Sequence, residues 1–324
     1  MAVGAHGFFT EAPGDGVAAR IETPLPFALR SANSWLWPGP DPVVVDAGIR
    51  TPEAWAALDA GLREAKVDRS RLRAVVTHGH ADHTGNAARL ARAGATVLAL
   101  EAERSHIESF QASQPERHAA IEAAARAHGA PEAAILGLRE RGRGIDALTE
   151  DVPMTGLTHG QHIPLGRGEG IVQAAPGHTH GSLLLALDTN EVVTGDTLLE
   201  HITSNAIELV DADRGRYATY LRTLDGLRRY AGCTALPGHH AAFAITETLL
   251  DGHLAKHEAR ARKVLSFLDA PRTAWELLPR VLPHLVEDQT FLGLCEMVGH
   301  LHRLEDSGLA RMRVVDGARR FVQA

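Results

Sequence analysis

A chain of 324 residues exceeds one average domain and points to one large domain with a small one beside it. Its composition, 44% hydrophobic and 23% charged, is that of an ordinary globular protein with a real core, and its net charge of -7 argues against wholesale nucleic-acid binding. Two cysteines, Cys233 and Cys295, are too few for a disulfide framework and read as reduced and buried. The N-terminus has no basic n-region followed by a long apolar stretch, and no run reaches the ~18–20 apolar residues of a membrane span. The expectation is a cytoplasmic protein without membrane contact.

Prolines at 24 and 26 mark residues 21–33 as an irregular or edge segment. Ser34–Trp37 and Pro42–Gly48 read as two strands paired across the turn that starts at Pro38. Thr51 caps a helix that runs to Ala65, with Pro52 at its first position and Trp55, Leu58 and Leu62 on one face. Leu72–Val76 is a short apolar strand, and the run Thr77-His78-Gly79-His80-Ala81-Asp82-His83 leaves its carboxyl end. An alanine-rich helix follows from Gly85, with Thr84 as its expected N-cap. With nineteen histidines in the chain, chance neighbours are common. Three imidazoles and a carboxylate packed into one strand-end loop are not, and together they suit zinc or iron.

Gly94–Leu100 is another strand, after which the composition shifts. From Glu101 to about Gly144 alanine, glutamate, arginine and histidine dominate, with breaks at Pro115, Gly129-Ala130-Pro131 and Gly142. This reads as two or three inserted helices that cap the site, and their histidines (His106, His118, His128) read as ordinary. Short strands return at 161–165, 170–175, 182–187 and 191–194, then a helix over Tyr217–Tyr230 and a last strand over Cys233–Leu236. A long helix, 246–268, leads to a segment from Thr273 that reads helix, helix, hairpin, the hairpin turning at Asp316-Gly317 as a type I′ turn.

The second of those helices, 289–306, carries one arginine and no lysine, with Glu296, Glu305 and Asp306, a poor endowment for groove binding. Its apolar residues (Phe291, Leu292, Leu294, Met297, Val298, Leu301, Leu304) exceed what a small domain needs. The excess predicts packing on the main domain or a two-fold homodimer. Arg311, Arg313, Arg319 and Arg320 keep a nucleic-acid reading open, although it is disfavoured.

The histidine run resembles the T-H-x-H-x-D-H signature of the metallo-β-lactamase superfamily. Three further motifs follow in the family's order: Pro176-Gly177-His178-Thr179-His180-Gly181-Ser182, the strand ending in Gly195-Asp196, and Leu236-Pro237-Gly238-His239. The resemblance spans roughly residues 20–245. It implies an α+β fold, an αββα sandwich over residues 1–245 with the helical insertion at about 101–144. Residues 246–324 then form a linker helix and a small winged-helix-like domain, as on one branch of the family, and the chain resembles the hydrolase branches that include glyoxalase II and the β-lactamases.

The same resemblance implies two zinc ions, with iron or manganese as alternatives. One ion would take His78, His80 and His178, the other Asp82, His83 and His239, and Asp196 would bridge them. Asp46 would support the loop. His201 follows the Gly-Asp strand closely enough to line the pocket, with a solvated or core histidine as the equal alternative. Two cations sharing a hydroxide hold a nucleophile near neutral pH, with Asp82 and Asp196 as the catalytic carboxylates. Asp196 stands where the commonest zinc β-lactamases place a cysteine, and the Gly-Cys-Gly-Arg run of glyoxalase II is missing after it. A hydrolase of a small ester, thioester or lactone is therefore expected. The alternatives are an endoribonuclease or phosphodiesterase, and a non-catalytic protein in which metal staples the loops.

Overall fold

The structure, a computed structural model, describes residues 18–286 and 289–324. The N-terminal segment read above for targeting lies outside the described residues. Six strands form one sheet in chain order: β1 (Ala19–Pro24), β2 (Ser31–Trp37), β3 (Val43–Val45), β4 (Arg73–Val75), β5 (Thr96–Leu100) and β6 (Thr155–Leu157). Six more form a second sheet, again in chain order: β7 (His162–Leu165), β8 (Gly168–Ala174), β9 (Leu183–Leu187), β10 (Glu191–Gly195), β11 (Thr234–Pro237) and β12 (Phe243–Ala244).

Strand side chains alternate between faces, and here both faces are apolar. Val43, Val45, Val75 and Leu98 of the first sheet share one buried cluster with Val172, Leu185, Val193 and Leu236 of the second, so the sheets pack face to face. Their neighbours one residue along point outward. Val44, Ala74 and Val97 meet Leu58 and Leu62 of α1 (Pro52–Glu64) and Leu90 of α3 (Ala87–Arg92). Leu184, Val192 and Ala235 meet Tyr220 and Leu224 of α7 (Arg216–Gly226) and Leu250 of α8 (Glu247–Ser266). The result is a four-layer α/β/β/α arrangement within a mixed α+β fold. Apolar runs in β3, β9 and β10 reflect burial on both sides rather than the half-buried alternation of a surface sheet.

Several local expectations hold. Thr51 accepts from the Ala54 amide at the start of α1, with Pro52 behind it. β2 and β3 pair antiparallel, and Asp316 and Gly317 both have positive φ in the turn between β13 (Ala310–Val315) and β14 (Ala318–Gln323). Others need correction. Thr84 is not an N-cap: it ends a single turn, α2 (Ala81–Thr84), and its hydroxyl donates back to the His80 carbonyl, while Asn86 precedes α3. The segment with Pro24 does form the edge strand expected, and its proline comes last, where the missing N–H costs nothing. β2 starts at Ser31 rather than Ser34. Cys233 is half-buried and donates to Asn190 Oδ1, while Cys295 is buried.

The inserted region forms three helices, α4 (Arg104–Ile107), α5 (Phe110–Ala127) and α6 (Glu132–Asp146). At the C-terminus, α8 is followed by α9 (Ala274–Val281), α10 (Thr290–Asp306) and the β13–β14 hairpin. Ala125, Ile135 and Leu138 of the insertion lie in the same buried cluster as Val264, Leu277, Met297, Leu301 and Phe321 of the C-terminal segment. Most of the apolar residues on α10 are thus covered within the chain, while Leu292 stays exposed. Among the described residues, no helix is long and apolar enough to cross a membrane.

Candidate metal centre

β3 and β4 run parallel, as do β10 and β11, and their carboxyl ends meet at one seam between the sheets. The Leu183 amide donates to the Thr77 carbonyl and the Asn33 amide to the Gly238 carbonyl, stitching the two sheets together at that seam. Four loops converge there. The loop after β4 brings His78, His80, Asp82 and His83, the end of β10 brings Asp196, and β11 delivers His239. The β8–β9 connection brings His178. All seven predicted residues meet at this seam.

The ring nitrogens His78 Nε2, His80 Nδ1 and His178 Nε2 lie 3.0–3.2 Å from one another. Beside them, His239 Nε2 is 3.4 Å from Asp82 Oδ2, and His83 Nε2 is 3.7 Å from the same oxygen. Asp196 spans the two groups. Its Oδ2 is 3.4 Å from His239 and 3.8 Å from His178, and its Oδ1 is 3.5 Å from His83.

The outward-facing nitrogens are anchored. His83 Nδ1 is 2.7 Å from Asp46 Oδ2, and His178 Nδ1 is 2.6 Å from the Asn205 carbonyl and 2.9 Å from Ser204 Oγ. His239 Nδ1 is 2.8 Å from the Ser31 carbonyl. Such contacts choose the tautomer and aim the other nitrogen inward. Asp46 sits at positive φ and also accepts from the Thr77 amide and hydroxyl, which fixes the start of the histidine loop. Asn33 and Trp35 on β2 both donate to the Pro237 carbonyl. Gly238 is required by space: a Cβ there would come within 2.3 Å of Asp196 Oδ1.

Do these residues fit a metal? The inward atoms His83 Nε2, His239 Nε2 and Asp196 Oδ1 are buried without a hydrogen-bond partner. Buried polar atoms left in that state are costly unless something fills the space between them. The spacing of the three-histidine group is close to the ~3.3 Å edge that zinc–nitrogen bonds of about 2.0–2.1 Å give in a tetrahedron. The protonation states agree for most of the set. Burial, reinforced by the surrounding histidines, holds His78 and His80 well below the usual range, and burial lowers His178, so these rings are neutral donors. Burial works against the charge on Asp82 and Asp196, but His83 and His239 outweigh it and keep both carboxylates ionised. His83 is raised by Asp46, Asp196 and Asp82 against burial, and His239 is raised to about 10, chiefly by Asp196. Each of those two rings holds a proton that a cation would displace. The donor set fits.

The protein belongs to the metallo-beta-lactamase superfamily. The family model covers residues 28–239, a stretch that contains every residue of the site. This superfamily binds divalent metals in dinuclear sites. The chain is 26% identical over 310 residues to the probable metallo-hydrolase YqjP of Bacillus subtilis (strain 168), covering 90% of this chain and 92% of that one. Its fold matches a beta-lactamase domain protein from Burkholderia ambifaria with a TM-score of 0.84 at 23% identity, over 100% of this chain and 96% of the other. It also matches a metallo-beta-lactamase family protein from Thermus thermophilus with a TM-score of 0.80 at 24% identity, over 95% and 99%. The likeness to the Burkholderia protein spans the whole chain, C-terminal segment included.

Two further histidines close to the metal-binding loops, His180 and His240, lie outside the donor set. His180 points to Asp213, 3.5 Å away, and His240, at positive φ, lies at the rim with its ring 6.3 Å from that of exposed His201. The anchoring partners Ser31, Asn33, Trp35, Ser204 and Asn205 carried no signal in the sequence, because each acts through a backbone group or on a distant loop.

Proposed function

We propose that this protein is a dinuclear-metal hydrolase of a small ester, thioester or lactone. The observation that carries the reading is the pair of inward-facing donor groups spanned by one carboxylate, Asp196. His78, His80 and His178 would hold one ion, Asp82, His83 and His239 the other, with zinc, iron and manganese all compatible with nitrogen–carboxylate ligation. When bound, the ions supply Lewis acidity and a water acidified to near neutrality. The chain supplies the rest. Asp46 and Ser31 hold His83 and His239 in one orientation. Asp82, whose carboxylate is partly exposed, is placed to take up and return a proton during the cycle. The Thr77 and Ser182 hydroxyls are hydrogen-bonded to Asp46 and to the Thr179 amide, and His178 Nδ1, whose proton faces the Asn205 carbonyl, is not free to act as a base for Ser204, which supports water rather than a side chain as nucleophile.

The C-terminal helix–helix–hairpin is winged-helix-like in element order, and we read it as a packing element. Two of the hairpin's four arginines are engaged internally, Arg319 with Asp211 and Arg320 with Glu276, which weighs against phosphodiester substrates. Metal analysis of purified protein, followed by a panel of acyl-thioesters, lactones, simple esters and a short single-stranded RNA, tests the reading. About two ions per chain and turnover of at least one carbonyl substrate are expected. Cleavage of the RNA alone would overturn the substrate class, and a metal-free, inactive protein would overturn the whole reading.

A further inference from the structure

One buried carboxyl beside the centre takes no part in the chemistry above. Glu103 lies in the 3-10 turn that follows β5, at the entrance to the inserted helices, and is 0% exposed. Its Oε1 accepts from the Thr179 hydroxyl and, at 2.9 Å, from the Gly181 amide. Both donors belong to the loop that carries His178. That loop is closed further by Ser182, whose hydroxyl accepts from the Thr179 amide at 3.1 Å. The other oxygen, Oε2, is buried without a hydrogen-bond partner and lies against Gly79, where an added Cβ would come within 2.8 Å of it. A Cβ on Gly181 would meet the Glu103 amide nitrogen and Cγ at 2.7 Å. The carboxyl is therefore wedged between two loops that come from different sheets. One carries His78 and His80, the other His178, and together they make up the three-histidine group.

The second donor group is held by other means: His83 by Asp46 and His239 by the Ser31 carbonyl. Glu103 touches neither.

We propose that Glu103 is a positioning residue that clamps the His178 loop onto the His78–His80 loop and so sets the affinity of the three-histidine group for its ion, selectively over the other group. This rests on the dinuclear reading above. A clamp of this kind removes loop freedom before an ion arrives, so the ion does not bear the cost of ordering its own ligands. It also couples the inserted helices to the centre, because the same turn that begins the insertion provides the clamp.

The test is a zinc titration of metal-free protein against a chromophoric chelator, which resolves two affinities, on wild type, Glu103→Ala, Glu103→Gln and Thr179→Val. Thermal melts serve as the folding control. Repeating it in a His239→Ala background, which disables the second group, shows which affinity has moved. For Glu103→Ala the three-histidine affinity is expected to fall on the order of 10–100-fold, the range for partners that orient metal ligands, with the other affinity near wild type. Glu103→Gln keeps an oxygen for both donors and should rescue the site. Thr179→Val removes one donor at constant shape and should give a smaller fall in the same affinity, so it carries the test if Glu103→Ala does not fold. Unchanged affinities, a parallel fall in both, or a Gln variant as impaired as the Ala variant would overturn the clamp. A wild-type protein that takes up no zinc would instead overturn the functional reading, and the clamp with it.

Discussion

Among the described residues, two buried groupings of histidine and carboxylate are built as opposites. At the seam between the sheets, the outward nitrogens of His83, His178 and His239 are hydrogen-bonded while the inward atoms of His83, His239 and Asp196 are left bare. Between α7, α8 and α10, His257, Glu296 and His300 are close enough to hold an ion by distance alone. There the centre is already filled. The Tyr217 hydroxyl lies 2.6 Å from His257 Nδ1 and 3.1 Å from His300 Nε2, and the Arg260 guanidinium donates to Glu296. The nitrogens left unpartnered, His257 Nε2 and His300 Nδ1, are the outer ones. Proximity of ligand types is shared by both clusters. What separates them is whether the converging atoms already have partners, and a cation such as Arg260 within the group opposes a second one.

The sharpest way to break this contrast is to remove the shared carboxylate. Asp196→Ala should lower metal content for both ions and cut turnover by more than the roughly 100-fold seen when an orienting partner is lost. Retention of full metal content and activity in that variant would remove the bridge. Asp46→Asn comes next: with the His83 ring no longer held by a carboxylate, metal affinity should fall by about 10–100-fold while the fold survives. In the other cluster, His300→Leu should leave the metal content of the protein unchanged. It should lower stability by about 1–3 kcal/mol, since Tyr217 and Glu296 lose a buried partner. Chemical denaturation and elemental analysis on one preparation separate the two outcomes, and a lost ion would mean that the second cluster also binds metal.

The contrast also has a pH signature. Burial depresses His257 to about 4, against a smaller opposing pull from Glu296, and depresses His128 to about 3, with Arg319 and His302 adding to the effect. In the unfolded chain both would titrate near 6.5. Between those values the unfolded state binds more protons than the folded one, so stability is complete above pH ~6.5 and declines as pH falls towards 4 and then 3. Each ring contributes at most roughly 1.4 kcal/mol per pH unit. Urea midpoints from pH 7.5 down to 4.5 should follow this slope, and His257→Asn should flatten it. The smallest effect is expected at the surface. Arg303→Ala, which loses a partly exposed pair with Glu258, should change stability by less than about 1 kcal/mol.

The sequence reads the inserted helices as a cap and the C-terminal segment as a small domain beside the main one. In the structure the two share one buried cluster. Asn205, whose carbonyl faces His178, donates from its side chain to the Leu292 carbonyl on α10. Truncation after Leu268 should therefore strip the cover from Ile135 and Leu138 and loosen the wall behind His178, lowering the melting temperature together with metal affinity.

By itself the sequence marked one strand-end loop and the frame that carries it. His178, Asp196 and His239 are marked only by resemblance to the family's motifs, whereas His78, His80, Asp82 and His83 stand out by local spacing alone. The strands were legible for the same reason: Val43–Val45, Leu183–Leu187 and Glu191–Thr194 are too short and too apolar for anything but a doubly covered sheet. Tertiary structure decided what holds the donors in place. Ser31, Asn33 and Asn205 act through carbonyls and amides, which every residue has, across separations that no local pattern records. It also decided the fate of α10's apolar face, because a stripe of leucines states only that something must cover it. The covering residues come from the insertion and from α8 and α9, and only the folded chain brings those segments together.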